Sequence, residues 1–311
     1  MRLVSVLSAL LLLWTPARAG LSTEPSQCLC GAESSTGAVR AIETSLAGVP
    51  ARIRMPALIS APPVVLWHGF GPPAGEAALE ALLPLDEVPA IKVYLGLPLF
   101  GARAPADPRE LPRRQQENLA TEVFEPVVMG AARELPGVVD ALRRHGCLQP
   151  GQEIGLFGFS AGGAAALYAL AEREVPVRAA VLLNASTGLS ASVAAYEHAT
   201  GKPFAWTEQT RRLASRSDGV ARAADIARGT SPPALLIVHG VDDAMVDAAD
   251  AHTLRDALAP HYADDAERLR LELVPDLPHA LRTAEDIDRV RALVGAWLLR
   301  FMGDQGPQRE P

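Results

Sequence analysis

Lysine is almost missing from this 311-residue chain. Of its 29 basic residues only Lys92 and Lys202 are lysines, and the net charge is −7. That balance excludes a broad basic face of the kind that grips nucleic acid or an anionic membrane. Cysteine is scarce as well: Cys28, Cys30 and Cys147 are the only three. A Cys-x-Cys pair with no matching second half does not make a zinc site. Neither an internal repeat nor a low-complexity tract is present, beyond a general richness in alanine. What the chain does have is apolar residues, 49% of the total, enough for a large core and against disorder as the default.

The first 19 residues read as an export signal. Arg2 supplies a positive start, Leu3 to Trp14 an apolar core, and Ala17-Arg18-Ala19 a small-residue cleavage motif before Gly20. The apolar run is too short to span a bilayer. Cys28 lacks the flanking sequence of a lipid-modified cleavage site, so the expectation is a soluble secreted or periplasmic protein with no membrane partner. Removing residues 1–19 takes away Arg2 and Arg18, leaving 27 basic against 36 acidic residues, or −9. In an oxidising compartment one disulfide is expected, from either Cys28 or Cys30 to Cys147. It would pin an N-terminal extension (residues 20–37) to the body of the domain.

Downstream, short apolar runs alternate with helical patterns. A hairpin is predicted from Ala38–Leu46 and Val49–Met55 around Ala47-Gly48. Strands follow at Val64–Trp67 (after the punctuating Pro62-Pro63), Ala90–Leu95, Ile154–Phe157, Val177–Leu183, Ala234–Val238 and Leu269–Val274. Helices are predicted at Ala74–Leu83, over Glu117–Arg144 with interruptions at Pro126 and Pro136, and at Ala164–Arg173, Ala249–Leu258 and Ala284–Phe301. This is the pattern of an α/β fold, a mostly parallel eight-stranded sheet with helices on both faces. Ligands of such sheets bind beyond the carboxyl ends of the strands, so the residue just after each strand carries the functional signal. Residues 186–231 separate two strands by more than a crossover needs. They contain Tyr196, Phe204 and Trp206 among two or three short helices, and form either a lid over the pocket or a packing extension.

The strongest motif is Gly158-Phe159-Ser160-Ala161-Gly162, a G-x-S-x-G placed between a buried strand and an alanine-rich helix. Its glycines allow a turn so tight that a Cβ would collide with neighbouring elements. Ser160 Oγ then projects over the positive end of the next helix, where a developing oxyanion is favoured. A serine hydroxyl needs a histidine to take its proton and an acid to orient that histidine. The chain provides both at the same sheet edge. One strand ends in His239-Gly240-Val241-Asp242-Asp243-Ala244-Met245-Val246, and another in Pro275-Asp276-Leu277-Pro278-His279.

With the order Ser…Asp…His, the elbow motif, His68-Gly69-Phe70-Gly71 after the third strand, and His239-Gly240-x-x-Asp243-x-x-Val246, the chain resembles the α/β-hydrolase superfamily. The resemblance spans residues 38–302, leaving 303–311 as a loose tail. It implies a triad of Ser160, Asp243 and His279, with Asp242 as the alternative acid. It also implies an oxyanion hole from the backbone amides of Phe70 and Ala161. His68 and His239 are expected to hold loops by hydrogen bonds, and Trp67 and Trp297 to lie in the core. The Gly162-Gly163 doublet resembles the dienelactone-hydrolase-like and prolyl-oligopeptidase-like branches. Dienelactone hydrolases proper carry cysteine where this chain has Ser160, and prolyl oligopeptidases carry a propeller domain for which these residues leave no room. Haloalkane dehalogenases and epoxide hydrolases use aspartate at the elbow. The implied function is hydrolysis of a small-molecule carboxylic ester through an acyl-enzyme. The alternatives are a small peptidase or amidase of the same fold, or a non-catalytic hydrolase-like binding protein. The chemistry requires no metal or organic cofactor.

Overall fold

Ala47 and Gly48 both adopt positive φ (51° and 85°), the geometry that lets a two-residue turn join twisted strands. They connect β1 (Arg40–Leu46) to β2 (Val49–Met55) as an antiparallel hairpin. The structure, a computed structural model, describes residues 29–30, 38–229 and 231–303. The export signal predicted over 1–19, Cys28, most of the 20–37 extension and the tail beyond Gly303 lie outside the described residues.

Six further strands follow: β3 (Ala61–Trp67), β4 (Ala90–Leu95), β5 (Ile154–Phe159), β6 (Val177–Leu183), β7 (Ala234–Gly240) and β8 (Leu269–Val274). The sheet order is β1-β2-β4-β3-β5-β6-β7-β8. Only the β1–β2 and β2–β4 pairs are antiparallel. The remaining pairs are parallel, so β3 to β8 all end at one edge. Strands buried on both faces read as continuous apolar runs, and β3 shows why. Val65 and Trp67 join one core layer while Val64 and Leu66 join the other.

Helices cover both layers. On one side lie α1 (Glu76–Leu82) and the C-terminal α9 (Ala284–Met302), whose Val290, Val294 and Leu298 are buried with Leu66 and Phe157. On the other lie α3 (Gly130–Arg144) and α4 (Ala161–Glu172), followed later by α8 (Ala248–Leu258). Helix α4 is almost entirely buried, and its alanines and glycines let it pack tightly against the sheet.

Two departures from expectation involve proline. Pro62 and Pro63 lie inside β3 instead of preceding it. Neither can donate to the ladder, and the register against β4 shifts between Ala61 and Val64. Over 110–144 the chain forms α2 (Glu110–Asn118), an eleven-residue π-helical stretch (Leu119–Met129) that contains Pro126, and α3, which continues through Pro136. The first boundary comes from Asn118, whose extended backbone breaks the run and whose Oδ1 accepts from the N–H groups of Ala120 and Thr121. Pro136 removes one backbone donor from α3 without ending it.

The 186–231 insert holds α5 (Leu189–Thr200), α6 (Glu208–Ser217) and the short α7 (Ala223–Ile226). Helix α7 packs with α4 and α8, while α5 and α6 pack on the π-helical stretch. Tyr196, Phe204 and Trp206 are half-buried against the core. Of the two cysteine pairings expected, Cys30–Cys147 is the disulfide formed.

Candidate active site

At the end of β5, Ser160 takes φ 53° and ψ −117°, a conformation that costs a non-glycine residue about 1–3 kcal/mol. Its neighbours show what enforces the turn. A Cβ on Gly158 would lie 2.2 Å from the carbonyl oxygen of Gly162, and one on Gly162 would lie 2.4 Å from that of His68. The Ser160 N–H donates to Leu183 O at 2.9 Å, tying the turn to the end of β6. Ala161 is the first residue of α4, where backbone N–H groups have no intrahelical acceptor.

The loop after β3 presses against this turn. A Cβ on Gly69 would lie 2.9 Å from Ser160 Cβ, so Phe70 follows immediately from a point of contact with the elbow. The half-buried Phe70 ring stacks on Phe100, with centroids 5.0 Å apart and planes 11° from parallel. His68 is fully buried; its Nδ1 donates to Gly69 O at 2.7 Å and its Nε2 accepts from the Leu97 N–H at 3.1 Å. Both ring nitrogens are engaged in holding two loops together, as expected. Burial pushes its pKa below the ordinary value.

The loop after β7 carries the acid. Asp243 Oδ1 accepts from the N–H groups of Met245 (2.8 Å) and Val246 (2.9 Å), leaving Oδ2 to receive His279 Nδ1 at 2.7 Å. The carboxylate is buried, which opposes its charge. The hydrogen bonds from His279, Val246 and Met245 outweigh that cost and hold its pKa below the usual range. Asp242 turns elsewhere: its Oδ2 accepts from the N–H of Asp276 at 3.0 Å. Of the two aspartates considered, Asp243 is the one beside the histidine.

His279 stands on the loop after β8, with Nε2 3.0 Å from Ser160 Oγ. With Nδ1–H donated to Asp243, Nε2 is the acceptor for the serine hydroxyl. The ring is only 17% exposed and lies over Phe159, centroids 5.4 Å apart. Gly240 allows this approach, because a Cβ there would meet Leu277 O at 1.9 Å.

One residue at this edge was not anticipated. Asn184 directly follows β6 and is fully buried. Its Nδ2 donates to the carbonyls of Pro278 (3.1 Å) and His279 (3.0 Å), and its Oδ1 accepts from the Gly240 N–H at 2.9 Å. The signal was available: a polar amide following an apolar strand at the edge where the other site residues sit.

Among the described residues, no group of three or more His, Cys, Asp or Glu side chains is gathered where it could hold a metal ion. No described helix is long and apolar enough to cross a membrane.

An eight-stranded α/β sheet with a strained serine at a strand–helix elbow, hydrogen-bonded to a histidine, defines a hydrolase of the serine α/β-hydrolase type. The chain belongs to the prolyl oligopeptidase family (Peptidase S9), whose model matches residues 132–305 and so includes Ser160, Asp243 and His279. Similar solved structures include TT1662 from Thermus thermophilus, at 23% identity and TM-score 0.63, covering 84% of this chain and 98% of that one. A putative dienelactone hydrolase from Klebsiella pneumoniae is similar at 16% identity and TM-score 0.57, covering 85% of this chain and 100% of that one. A puromycin-hydrolysing peptidase of Mycobacterium tuberculosis is similar at 20% identity and TM-score 0.59; the match covers 88% of this chain but 41% of that one. These identities speak to the fold alone. No curated protein sequence matches the chain significantly.

Proposed function

We propose that the protein is an exported serine esterase that cleaves small carboxylic esters through an acyl-enzyme. Ser160 Oγ attacks the carbonyl carbon as its proton passes to His279 Nε2. Asp243 keeps the imidazole in the tautomer that accepts there and stabilises the positive charge it acquires. The backbone N–H groups of Phe70 and Ala161 stabilise the tetrahedral oxyanion. His279 then returns the proton to the leaving alcohol, and water repeats the sequence on the acyl-enzyme. The observation that carries this reading is the continuous relay of 3.0 Å and 2.7 Å hydrogen bonds from Ser160 through His279 to Asp243.

An ester suits the apolar aromatic wall formed by Phe70 and Phe100 beside the elbow. The insert leaves the sheet after β6, at the edge that carries Ser160, and the Gly219 N–H donates to Thr187 O at 2.8 Å where α6 returns, so we assign α5 and α6 as a lid over the bound substrate. Export is supported by the Cys30–Cys147 disulfide, a bond that persists in oxidising compartments. The test is turnover of nitrophenyl esters graded by acyl length. The wild type cleaves them, and Ser160→Ala loses activity by about 10⁴-fold or more while keeping its fold. Equal turnover by the two proteins would overturn the assignment.

Family membership favours a second reading, a small peptidase or amidase using the same groups. Esters and amides that share one acyl group separate the two. The esterase reading expects the ester to be turned over much faster at the acylation step, and faster cleavage of a peptide amide would reverse the order.

A further inference from the structure

The end of β6 contacts every element that carries a triad residue, one residue at a time. Leu183 O accepts the Ser160 N–H at 2.9 Å. The next residue, Asn184, bonds the carbonyls of Pro278 and His279 with its amide nitrogen and the Gly240 N–H with its amide oxygen. The third, Ala185, lies against the elbow helix so closely that a Cβ on Gly163 would meet its Cβ at 2.3 Å. The strand itself pairs with β5, which delivers Ser160, and with β7, which leads to Asp243.

Asn184 is suited to this place in two ways. Its backbone takes φ 45°, a left-handed conformation that asparagine tolerates better than most residues, and its N–H donates to Val238 O at 2.9 Å. Its side chain is the one type of short group that offers two donors and an acceptor together. All three of its partners are backbone groups flanking the acid and histidine loops.

We propose that Leu183-Asn184-Ala185 is the alignment piece of this site, with Asn184 as the positioning residue that fixes where His279 stands. The proposal rests on the triad reading above. Asn184 touches neither substrate nor the reacting atoms; it acts by holding the His279 backbone to β7 and to the end of β6, the strand that pairs with the nucleophile's strand β5. Losing the amide donor frees the two carbonyls and lets the imidazole drift from Ser160. A displacement of about 1 Å at such a distance costs on the order of 100-fold in rate.

The experiment uses Asn184→Asp, which keeps the size and the acceptor for Gly240 but removes the donors, alongside Asn184→Ala. Tyr262→Phe serves as the control. It removes a buried hydrogen bond to Pro233 O at the far end of β7, and is expected to lower Tm without changing kcat. Ester hydrolysis is measured well below each variant's Tm. The expected result for whichever Asn184 variant folds is a kcat lower by about 100-fold with KM little changed. A folded variant with wild-type kcat would overturn the proposal, and so would a loss no larger than that of the control. The second readout does not depend on turnover: the deshielded proton resonance of the His279–Asp243 hydrogen bond. It is expected in the wild type and in Ser160→Ala, and shifted or lost in Asn184→Asp. An unchanged resonance counts against Asn184 as the positioning group. If the wild type cleaves no ester, the esterase reading fails and the resonance alone decides the alignment role.

Discussion

His239 approaches Asp243 to 3.5 Å, yet gives its Nε2 proton to Val246 O at 3.0 Å instead. The histidine thereby closes the loop that presents the acid, and Asp243 Oδ2 is left to hydrogen-bond His279. A His-Gly motif that looks catalytic in isolation is a structural clasp.

That division of labour predicts unequal consequences for adjacent aspartates. Asp243→Asn removes the charge and allows the wrong imidazole tautomer, so kcat falls by about 10⁴-fold. Asp242→Asn removes a charge at an exposed loop but keeps an amide oxygen to accept from the Asp276 N–H, and keeps kcat within a few-fold. Steady-state kinetics on the two variants checks this; a larger loss for Asp242→Asn would reassign the acid.

Stability should fall on mild acidification. Burial lowers the pKa of both His68 and His239 from the ordinary 6.5. Below that value the unfolded chain takes up protons that the folded protein does not, so stability declines as pH drops. The depressed Asp243 contributes stability above its ordinary 3.8 and loses it as pH falls through its lower folded value. Calorimetry should therefore find a steady Tm between pH 6.5 and about 8 and a decline below pH 6.5. His239→Gln, which retains a donor for Val246 but cannot titrate, should flatten part of that slope. A Tm unchanged down to pH 4 contradicts the account.

Lys92 acts in the same direction on the alkaline side, where stability should rise with pH. Its side chain is fully buried in β4 with Nζ donating to Val88 O at 3.0 Å, and burial pushes its pKa down to about 8. The penalty of holding it charged is complete below pH 8 and fades as pH rises towards the ordinary 10.5. Lys92→Met should stabilise the protein at pH 7 by roughly 1–3 kcal/mol. Denaturant titration should show the gain shrinking by pH 10. Destabilisation at pH 7 would mean the ammonium is better paired than its surroundings indicate.

The hairpin, the eight strands and the strand-end loops that carry Ser160, the Asp242–Asp243 pair and His279 were legible in the chain, because each is written in local signals: Ala-Gly at the turn, apolar runs, and a G-x-S-x-G between strand and helix. The choice of Asp243 over Asp242 was legible only through motif resemblance, since adjacent carboxylates differ in loop geometry and not in spacing. Asn184 was not read: its place after an apolar strand marked the right edge, but its three hydrogen bonds go to backbone groups 56 to 95 residues away, and no sequence pattern encodes those partners. The π-helical stretch was equally hidden: Pro126 signalled an interruption, whereas Asn118 supplied the break.

The Cys30–Cys147 bridge closes a loop of 117 residues. Cys30→Ser should cost about 2–4 kcal/mol of stability while leaving kcat unchanged, since the bridge touches none of the proposed catalytic residues. Thermal melts with and without reductant provide the measurement. No change in Tm on reduction would show that the N-terminal segment is held by other contacts.

The central claim is that Ser160 is an activated nucleophile, and covalent labelling tests it most directly. A fluorophosphonate probe followed by peptide mass spectrometry should place one adduct on Ser160, with labelling abolished in Ser160→Ala and sharply slowed when the His279 imidazole is removed. An unlabelled wild type, or an adduct on another serine, would contradict the account.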